Sequence, residues 1–451
     1  MGLTGAVFMG LGSIVGTGLF VSLGIAAGVA GEAILVALPL AALLALFNGL
    51  SSAQLAAAHP VSGGTYEYGY RFLSPVFGFS AGWMFLLAKG ASAATAALGV
   101  AGYLYLLGVG WERTGPTPDS GPAAAEVGVS AVGPVLQVGL AAAAVVLLTM
   151  LVAGGIRRSN RVNLAIVGTT LTLLAVFLAV GLPRVVAGGI GGAAPGGAFG
   201  PEGGLALWAA DASLLHATAL LFVAYTGYGR IATLGEEVRD PARTIPNAIW
   251  ITLGVVAVLY MAVAAVALAT LGAEGFARAT VETAAPLQVA AGALEVPLVA
   301  FLVGVAAVTA MVGVLLNLLL GLSRVALAMG RRRDLPGGLA RVHAPTGSPR
   351  TAVVAVGAVI LALVLLGDVR TTWSFSAFTV LVYYGITNLA ALRLPAELRL
   401  YPRWIPLAGL AGCLFLAFQV EPVYWLAGLV LLAAGVAARW GVRKWSEDRP
   451  T

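Results

Sequence analysis

Two short glycine-rich stretches interrupt long apolar segments of the chain. The first runs from Gly10 to Gly18 as Gly-Leu-Gly-Ser-Ile-Val-Gly-Thr-Gly, and the second runs from Ala224 to Arg230 as Ala-Tyr-Thr-Gly-Tyr-Gly-Arg. A helix break leaves backbone amides and carbonyls unpaired, which in hydrocarbon costs on the order of several kcal/mol for each group. Such breaks persist where they line a cavity or bind a ligand. Their matching places in two halves of the chain predict the binding site of a secondary transporter.

Two cations lie among these apolar segments. Lys89 is about fourteen residues into its segment, which is a depth of about 20 Å in a helix. A snorkelling side chain does not span that distance, so we expect Lys89 to face a bundle interior. In one interpretation Lys89 or Arg230 contacts a substrate carboxylate or supplies the charge of a coupling ion. In the other, Arg230 pairs with Glu236 or Glu237 and Lys89 donates to helix carbonyls.

The sequence offers no constellation typical of an enzyme. It shows no nucleophile–base pair, no metal-ligand cluster and no phosphate-binding loop. His59, His216 and His343 are too scattered to predict a zinc site. The single cysteine, Cys413, excludes an intrachain disulfide, and its apolar surroundings predict a packed side chain. We therefore predict neither an enzyme nor a bound cofactor, while the coupling ion, proton or sodium, stays open.

The composition predicts a protein that lies in a membrane. Of the 451 residues, 60% are hydrophobic and 10% are charged, with a mean hydropathy of +0.97, whereas soluble domains carry roughly 25% charged residues. Apolar stretches follow one another, each long enough to cross a hydrocarbon core of about 30 Å. They predict an all-α integral membrane protein with about twelve transmembrane helices. The predicted spans are residues 3–28, 32–58, 75–109, 130–153, 161–183, 212–235, 246–272, 296–329, 351–367, 373–394, 403–420 and 422–440.

The charges between these spans predict the orientation. Of the 25 lysines and arginines, Lys89 and Arg230 lie within predicted helices, four would face outside and the remaining nineteen would face the cytoplasm. The outer four are Arg113, Arg184, Arg278 and Arg370. This bias predicts a multi-pass protein of the cytoplasmic membrane with both termini in the cytoplasm. The net charge of +6 then reflects topology and anionic lipids, not nucleic acid.

The two breaks begin two successive groups of five spans. Because five crossings reverse the direction of entry, the groups would form repeats of opposite topology. We therefore divide the chain into a first repeat over residues 1–183, a second over 184–394, and two appended helices with a short tail over 395–451. The repeats share almost no sequence beyond their broken first helices, so this symmetry is predicted from spacing alone.

Further motifs accompany the breaks in a fixed order. They are Gly12–Phe20, the His59–Tyr68 loop, Gly82-Trp83, Phe222–Tyr228, Glu236–Pro241 with Ile245-Pro246, and Ser323-Arg324 ahead of Leu335-Pro336. Each motif alone is weak, but their order and spacing together are specific. Over most of its length the chain resembles the amino acid–polyamine–organocation (APC) superfamily, and it is most similar to bacterial permeases near the cationic amino acid transporter branch.

This resemblance implies a fold and a means of binding the substrate carboxylate. The fold is the LeuT-type five-plus-five inverted repeat with broken helices 1 and 6, and family members move amino acids or related amines by alternating access. The amides of Thr17 and Gly18, with the Thr17 hydroxyl, would bind the carboxylate at a positive helix end. Glycines such as Gly16 would permit close approach. The alternative for these glycines is helix packing alone.

The resemblance also assigns roles around the second break. The substrate ammonium would meet the carbonyls of Ile14, Val223 and Thr226. Tyr225 and Tyr228 are candidates for a gate or a pocket wall, although aromatic residues are equally common in cores.

The loop below the second break belongs to the inner gate in the family. Arg230, Glu236 and Glu237 are therefore candidates for a gate or coupling network, with a simple solvated loop as the alternative. His216 is expected to be an outer-vestibule histidine without a role, and a pH sensor is the alternative.

Departures from the family bear on the substrate. Relatives often carry Glu or Asp where this chain has Gly229, and the helix-5 lysine that replaces sodium in some relatives corresponds to Thr170. In relatives, the part of helix 3 that corresponds to Lys89 borders the side chain of the substrate. A cationic substrate would be repelled in a low-dielectric pocket, so we expect a neutral or acidic amino acid. A cationic amino acid or polyamine carrier or antiporter remains the rival.

Other function classes fit the sequence less well. An ion channel usually shows a filter or rings of charge, and a membrane enzyme would need the catalytic groups that are missing. A heteromeric family member would need a cysteine in the second outer loop, and residues 110–129 contain none. We therefore expect a small amino acid and the lipid bilayer as partners, and a monomer or noncovalent homo-oligomer without a disulfide-linked partner.

Overall fold

The described part of the chain is almost entirely helical. The structure, a computed structural model, describes residues 2–61, 63–108, 132–155, 160–188, 212–232, 238, 240–344 and 347–447. Within these ranges sixteen α-helices follow one another, with short 3-10 or π-helical turns between some of them. They are α1 (Leu3–Ile14), α2 (Leu23–Ala30), α3 (Ile34–Ala58), α4 (Thr65–Phe72), α5 (Pro75–Gly108), α6 (Val132–Ala153), α7 (Asn160–Gly188), α8 (Ala212–Tyr225), α9 (Gly229–Ala232), α10 (Pro241–Thr283), α11 (Pro286–Gly292), α12 (Pro297–Arg331), α13 (Arg350–Leu366), α14 (Val369–Leu392), α15 (Trp404–Ala417) and α16 (Pro422–Glu447).

The predicted all-α class is confirmed for the described residues. Their β-structure is limited to one isolated bridge between His343 and Ser348. Each of the twelve predicted spans contains helix, while the number of membrane crossings stays a prediction. Among the described helical runs, eight are long and apolar enough to cross a membrane. These runs are Gly18–Ala58, Pro75–Gly108, Gly133–Ala153, Val162–Ala187, Pro241–Thr283, Pro297–Arg331, Val369–Leu392 and Pro422–Val442.

The outer surface of the bundle is apolar. Val135 on α6 is 75% exposed, Val186 on α7 is 87% exposed, and Leu366 on α13 is 85% exposed. Extended apolar surface of this kind is rare on soluble monomers, because water solvates it poorly. The acyl chains of lipids can cover it without that cost. The helices therefore bury their polar groups inward and present hydrocarbon outward.

Helix α5 lies at the centre of the bundle, where it packs against α12 and α14. Two hydroxyl pairs join α5 to α14: Ser92 with Ser376 and Thr95 with Thr372, each at 2.8 Å. Such pairs satisfy buried polar groups that would otherwise be costly in an apolar interior. Helix α3 packs against α8 and α10, and α10 packs against α1 and α2, so α3 and α10 hold the broken helices in place.

Short helical regions extend beyond the predicted spans. Helix α4 occupies part of the His59–Tyr68 motif that was expected to be a loop, and α11 lies within the predicted connection between spans 246–272 and 296–329. Helix α10 continues past the predicted end at residue 272, through a kink at Gly272 (φ 67°), to Thr283. These elements are too short or too polar to produce a membrane-length apolar pattern, which is why hydropathy does not indicate them.

Candidate functional site

A cavity of about 550 Å³ lies between the broken helices and the central helices α5, α12 and α14. Its size falls within the range of about 300–1,000 Å³ that is typical of small-molecule sites. Residues from both glycine-rich breaks line it. The lining residues of these breaks are Ser13, Ile14, Thr17, Gly18, Val223, Ala224, Thr226, Gly227, Gly229 and Arg230.

The first break is narrower than the sequence suggests. Helix α1 continues through Gly10 and Gly12 to Ile14, and Val15 then adopts an extended conformation (φ −74°, ψ 100°). Gly10 and Gly12, the first glycines of the stretch, therefore lie within helix α1, before the break. Glycine at this position serves packing, because an added Cβ on Gly12 would lie 2.5 Å from Asn163 Oδ1 and 2.8 Å from Val167 Cγ2 on α7.

A second helical segment begins directly after this break. The amides of Leu19 and Phe20 donate to the carbonyl of Gly16 at 2.9 and 3.0 Å. The amides of Thr17 and Gly18 therefore belong to the first turn, where a helix supplies no acceptors. Thr17 is 4% exposed, and its hydroxyl has no hydrogen-bond partner among the described residues. These donors lie at a helix N-terminus beside the cavity, a place that favours negative charge.

Gly16 itself does not line the cavity. An added Cβ there would lie 2.6 Å from Val314 Cγ2 on α12, so this glycine lets the first break approach α12. Its predicted contribution to the site is therefore indirect, through close packing of the backbone.

The second break is a single tight turn. Helix α8 ends at Tyr225, a 3-10 turn spans Thr226–Tyr228, and α9 begins at Gly229. A Cβ on Gly227 would overlap the carbonyl of Ser13 and would lie 2.6 Å from Ile14 Cγ1. The two breaks therefore touch each other directly at a position where only glycine fits.

The three carbonyls predicted to bind a substrate ammonium already accept hydrogen bonds. Tyr260 donates to Ile14 O at 2.9 Å, the Thr226 hydroxyl donates to Val223 O at 2.7 Å, and Tyr384 donates to Thr226 O at 3.2 Å. A carbonyl has two lone pairs, and both of those on Thr226 O are in use, because it also accepts from the Gly229 amide. The acceptor strength that Ile14 O and Val223 O have left for an ammonium is shared with their hydroxyl donors.

Lys89 faces the interior of the bundle, as its depth in the sequence indicates. It lines the cavity from α5, and its Nζ donates to the Thr226 hydroxyl at 2.8 Å. The side-chain nitrogen of Lys89 thus reaches the second break itself. One of the two interpretations expects Lys89 to donate to helix carbonyls. Among the described residues, it donates its hydrogen bond to a side-chain hydroxyl instead.

Of the predicted gate residues, Arg230 lines the cavity. Glu236 and Glu237 lie outside the described residues. Tyr225 and Tyr228 are fully buried and do not line the cavity. Their rings pack behind the second break, with Tyr225 5.2 Å from Tyr260 and Tyr228 5.4 Å from Tyr384, centroid to centroid.

Sequence reasoning missed several groups at the cavity. Asn317 on α12 lines it, and its Nδ2 has no hydrogen-bond partner among the described residues. The signal for Asn317 was available, because an amide in the middle of an apolar span is expensive to place in a membrane. No local pattern could have indicated Tyr260 and Tyr384, because their hydroxyls reach the breaks only through packing.

One end of the cavity reaches the carboxyl end of α12 and helix α4. Arg331 and Arg332 line that end, and Arg332 pairs with Glu67 on α4 at 2.6 Å. Tyr66 on α4 also lines the cavity and donates to Asp334 at 2.9 Å. Burial and the neighbouring Asp334 carboxylate raise the pKa of Tyr66, so its phenol stays protonated and remains a donor.

A buried ion pair fixes this end of the site. Arg439 Nε on α16 lies 2.7 Å from Asp334 Oδ1, with side-chain exposures of 3% and 0%. Tyr70 also donates to the Asp334 carboxylate. Arg439 is thus a buried residue that joins α16 to α4. In the sequence analysis it is one of the nineteen cations expected to face the cytoplasm.

Comparisons with known proteins show which family the chain is similar to. A family model described as amino acid permease matches residues 1–434. An uncharacterized transporter of Mycobacterium tuberculosis is 41% identical over 445 residues, which cover 98% of this chain and 91% of that protein.

More distant relatives have names that mention particular substrates. The methylthioribose transporter of Bacillus subtilis is 28% identical over 436 residues, covering 95% of this chain and 89% of the relative. The branched-chain amino acid permease of the same species is 29% identical over 443 residues, with coverages of 95% and 89%. Cationic amino acid transporters of Arabidopsis thaliana also match. These matches confirm the family predicted from the motifs and leave the substrate class open.

Proposed function

The chain belongs to the amino acid permease family, and on that premise we propose that it is a secondary transporter that moves a neutral or acidic amino acid across the cytoplasmic membrane by alternating access. The observation that carries this proposal is the meeting of both helix breaks at one cavity of about 550 Å³. Unpaired backbone groups at such a place can bind both ends of a zwitterion.

The substrate carboxylate would bind at the first break. The amides of Thr17 and Gly18 would donate to it, the Thr17 hydroxyl would add a third donor, and Gly16 would allow the close approach. The proposal is supported by the buried Thr17 hydroxyl, which lines the cavity and has no partner among the described residues. A hydrogen bond from such a donor to a charged group contributes roughly 1.5–3 kcal/mol.

The substrate ammonium would bind between the breaks. The carbonyls of Ile14 and Val223 would accept from it beside the hydroxyls that they already accept. Thr226 O would have to exchange its bond from Tyr384 or from the Gly229 amide for one from the ammonium. Tyr225 and Tyr228, buried behind the second break, would support its backbone and move with it. In this role they are parts of the gate and not parts of the pocket wall.

The charge of the cavity supports a neutral or acidic substrate. Lys89 donates to the second break, so a cationic side chain on the substrate would add a further positive charge to Lys89 and the α-ammonium, which is unfavourable in apolar surroundings. The rival function, a cationic amino acid or polyamine carrier, has support in the matches to cationic amino acid transporters and is tested below.

We propose twelve membrane crossings arranged as two inverted five-helix repeats. Residues 1–183 and 184–394 would form the repeats, and residues 395–451 would add two helices and a cytoplasmic tail. With both termini in the cytoplasm, the carboxyl end of α12 lies on the inner side. The cavity reaches that end through Arg331 and Arg332, which supports a conformation that is open to the cytoplasm.

Alternating access would require this inner end to close. Arg230 at the second break would take part in the inner gate with Glu236 and Glu237. On the opposite side, the Trp373 Nε1 donates to Leu220 O at 3.0 Å. This bond supports a closed outer gate in the conformation described.

One hydroxyl on α12 bears on the coupling ion. The Thr309 hydroxyl is engaged within its own helix, 2.8 Å from Val305 O and 3.1 Å from Ala306 O. We propose that a proton or sodium couples transport without a bound cofactor, and that the chain works as a monomer or a noncovalent homo-oligomer.

Uptake into proteoliposomes tests this function. We expect saturable uptake of a labelled amino acid, with competition by glutamate or leucine stronger than by arginine or putrescine. Flux that does not saturate with substrate would instead indicate a channel. A preference for arginine or putrescine would overturn the charge argument and favour the rival carrier.

A hydroxyl variant tests the carboxylate site. Thr17→Val is expected to raise the KM for uptake about 10-fold or more, because it removes a donor to a charged group. Thr172→Val is the matched control, since the Thr172 hydroxyl donates to Gly168 O on an exposed part of α7. Equal KM values for the two variants would contradict the proposed role of Thr17.

A further inference from the structure

We infer that Lys89 determines specificity by binding a second carboxylate, so that the preferred substrate is a dicarboxylic amino acid. This inference rests on the proposed function and narrows it from neutral or acidic to acidic amino acids. Its basis is the position of one ammonium at the second break and the distribution of charge around the cavity.

The Lys89 ammonium has little compensation from the protein. Its Nζ donates to the Thr226 hydroxyl at 2.8 Å. Among the described residues, no carboxylate lies within 4.0 Å of it. The Thr226 hydroxyl in turn donates to Val223 O, so the lysine is held by a neutral chain of hydrogen bonds.

A charge in such surroundings favours a ligand of opposite sign. Burying an ammonium away from water costs several kcal/mol, and a hydroxyl recovers only part of that cost. A substrate carboxylate would supply the missing countercharge through a charge-assisted hydrogen bond, which is about twice as strong as a neutral one. A substrate with an uncharged side chain would leave the ammonium as it is.

The remaining described charges around the cavity have the same sign. Arg230, Arg324, Arg331 and Arg332 line it, and Glu67, the one carboxylate among its described lining residues, pairs with Arg332 at 2.6 Å. These arginines extend from the second break to the end of the cavity at the carboxyl end of α12. Such a path raises the local concentration of an anion and lowers that of a cation.

The cavity offers two separate anion sites to one molecule. The amides of Thr17 and Gly18 form a helix end at the first break, and Lys89 reaches the second break from α5. A dicarboxylic amino acid has an α-carboxylate for the first site and a side-chain carboxylate for the second. The Asn317 amide, whose Nδ2 lacks a partner among the described residues, can donate a further hydrogen bond.

Glutamate and glutamine form the sharpest test pair, because they have nearly the same shape and differ in side-chain charge. For the wild-type protein in proteoliposomes, we expect glutamate to be preferred over glutamine by at least about 10-fold in kcat/KM. Lys89→Met should abolish or reverse this ratio, whereas Lys89→Arg should retain a preference for glutamate.

Arg278→Gln is the matched control. It removes a cation that is exposed beside Glu274 and does not line the cavity, so solvent screens its charge. The glutamate-to-glutamine ratio of this variant should stay within about twofold of wild type. An equal loss of both activities in Lys89→Met, with the ratio unchanged, would indicate a structural lysine and would overturn the inference.

The substrate preference of the wild-type protein also tests the inference, independently of the variants. Transport of glutamine or leucine in preference to glutamate overturns the role of Lys89 and leaves the amino acid transporter intact. Failure to transport or bind any amino acid overturns the proposed function itself. The two failures are therefore distinct.

Discussion

The direct contact between the two helix breaks depends on individual glycine residues. Gly227 lies against the carbonyl of Ser13, and a Cβ on Gly18 would lie 2.8 Å from Ala224 Cβ and 2.9 Å from the Tyr260 hydroxyl. Tyr260 spans the same junction, since its hydroxyl donates to Ile14 O and Ala224 O at 2.9 and 3.2 Å. These contacts make the two breaks one unit, and a shift of one break must move the other.

A methyl group at this junction is therefore expected to be harmful. Gly227→Ala should lower the stability by roughly 1–3 kcal/mol through overpacking and should abolish uptake. The measurement is the melting temperature of the purified protein in detergent together with proteoliposome uptake.

Gly254 provides the matched control for that variant. It lies within α10, and an added Cβ would meet no heavy atom within 4 Å. Gly254→Ala should leave uptake unchanged and should raise helix stability by up to about 1 kcal/mol. Wild-type uptake by Gly227→Ala would show that the breaks tolerate separation.

Helix α4 is held against α12 and α16 by hydrogen bonds to charged side chains. Its Tyr66 and Tyr70 donate to Asp334, which follows α12, and Arg439 on α16 pairs with the same carboxylate. The guanidinium of Arg332 lies 4.5 Å from the Tyr70 ring centroid and adds a cation–π contact. Helix α4 lines the cavity near the carboxyl end of α12. The cluster therefore connects the candidate inner gate to helix α16; its members are Tyr66, Tyr70, Asp334 and Arg439.

Breaking the buried pair should be strongly destabilising. Arg439→Gln leaves a buried carboxylate without its countercharge, for which we expect a loss of roughly 3–5 kcal/mol. Thermal unfolding followed by size-exclusion chromatography measures the effect. Arg278→Gln is the control, because its pair with Glu274 is exposed (60% and 91%) and should contribute at most about 1 kcal/mol. Similar losses in both variants would show that the Asp334 pair has no special role.

The whole molecule combines an apolar exterior with a cavity that is lined by several cations and reaches the exposed residues Arg331 and Arg332 at the carboxyl end of α12. Elsewhere in the bundle, the Tyr103 hydroxyl on α5 donates to Phe20 O, after the first break, at 2.8 Å. If the carboxyl end of α12 faces the cytoplasm, a reagent should reach the cavity from the cytoplasmic side only.

Cysteine labelling can test this orientation with almost no background. Cys413, the only native cysteine, is fully buried. Asn317→Cys should react with an impermeant maleimide in inside-out vesicles and not in right-side-out vesicles, and saturating substrate should slow the reaction. Arg278→Cys should show the opposite sidedness, because Arg278 is exposed and lies in a predicted outer region. Labelling of both variants from the same side would contradict the orientation.

Local patterns in the sequence were sufficient for several conclusions. Apolar segments predict membrane helices, and glycine clusters predict where two of them break. The depth of Lys89 predicts an inward-facing cation. All of these depend on residues close in the chain, because hydropathy, helix length and backbone freedom are properties of short segments.

The tertiary structure alone decided which groups meet at the site. Tyr384 reaches the carbonyl of Thr226 from 158 positions away, and Arg439 reaches Asp334 across 105 positions. It also decided that Gly12 packs against Asn163 within a continuous helix and does not open the break. Hydrogen-bond partners across such separations follow from how helices pack, and that depends on the summed contacts of many side chains that no local pattern contains.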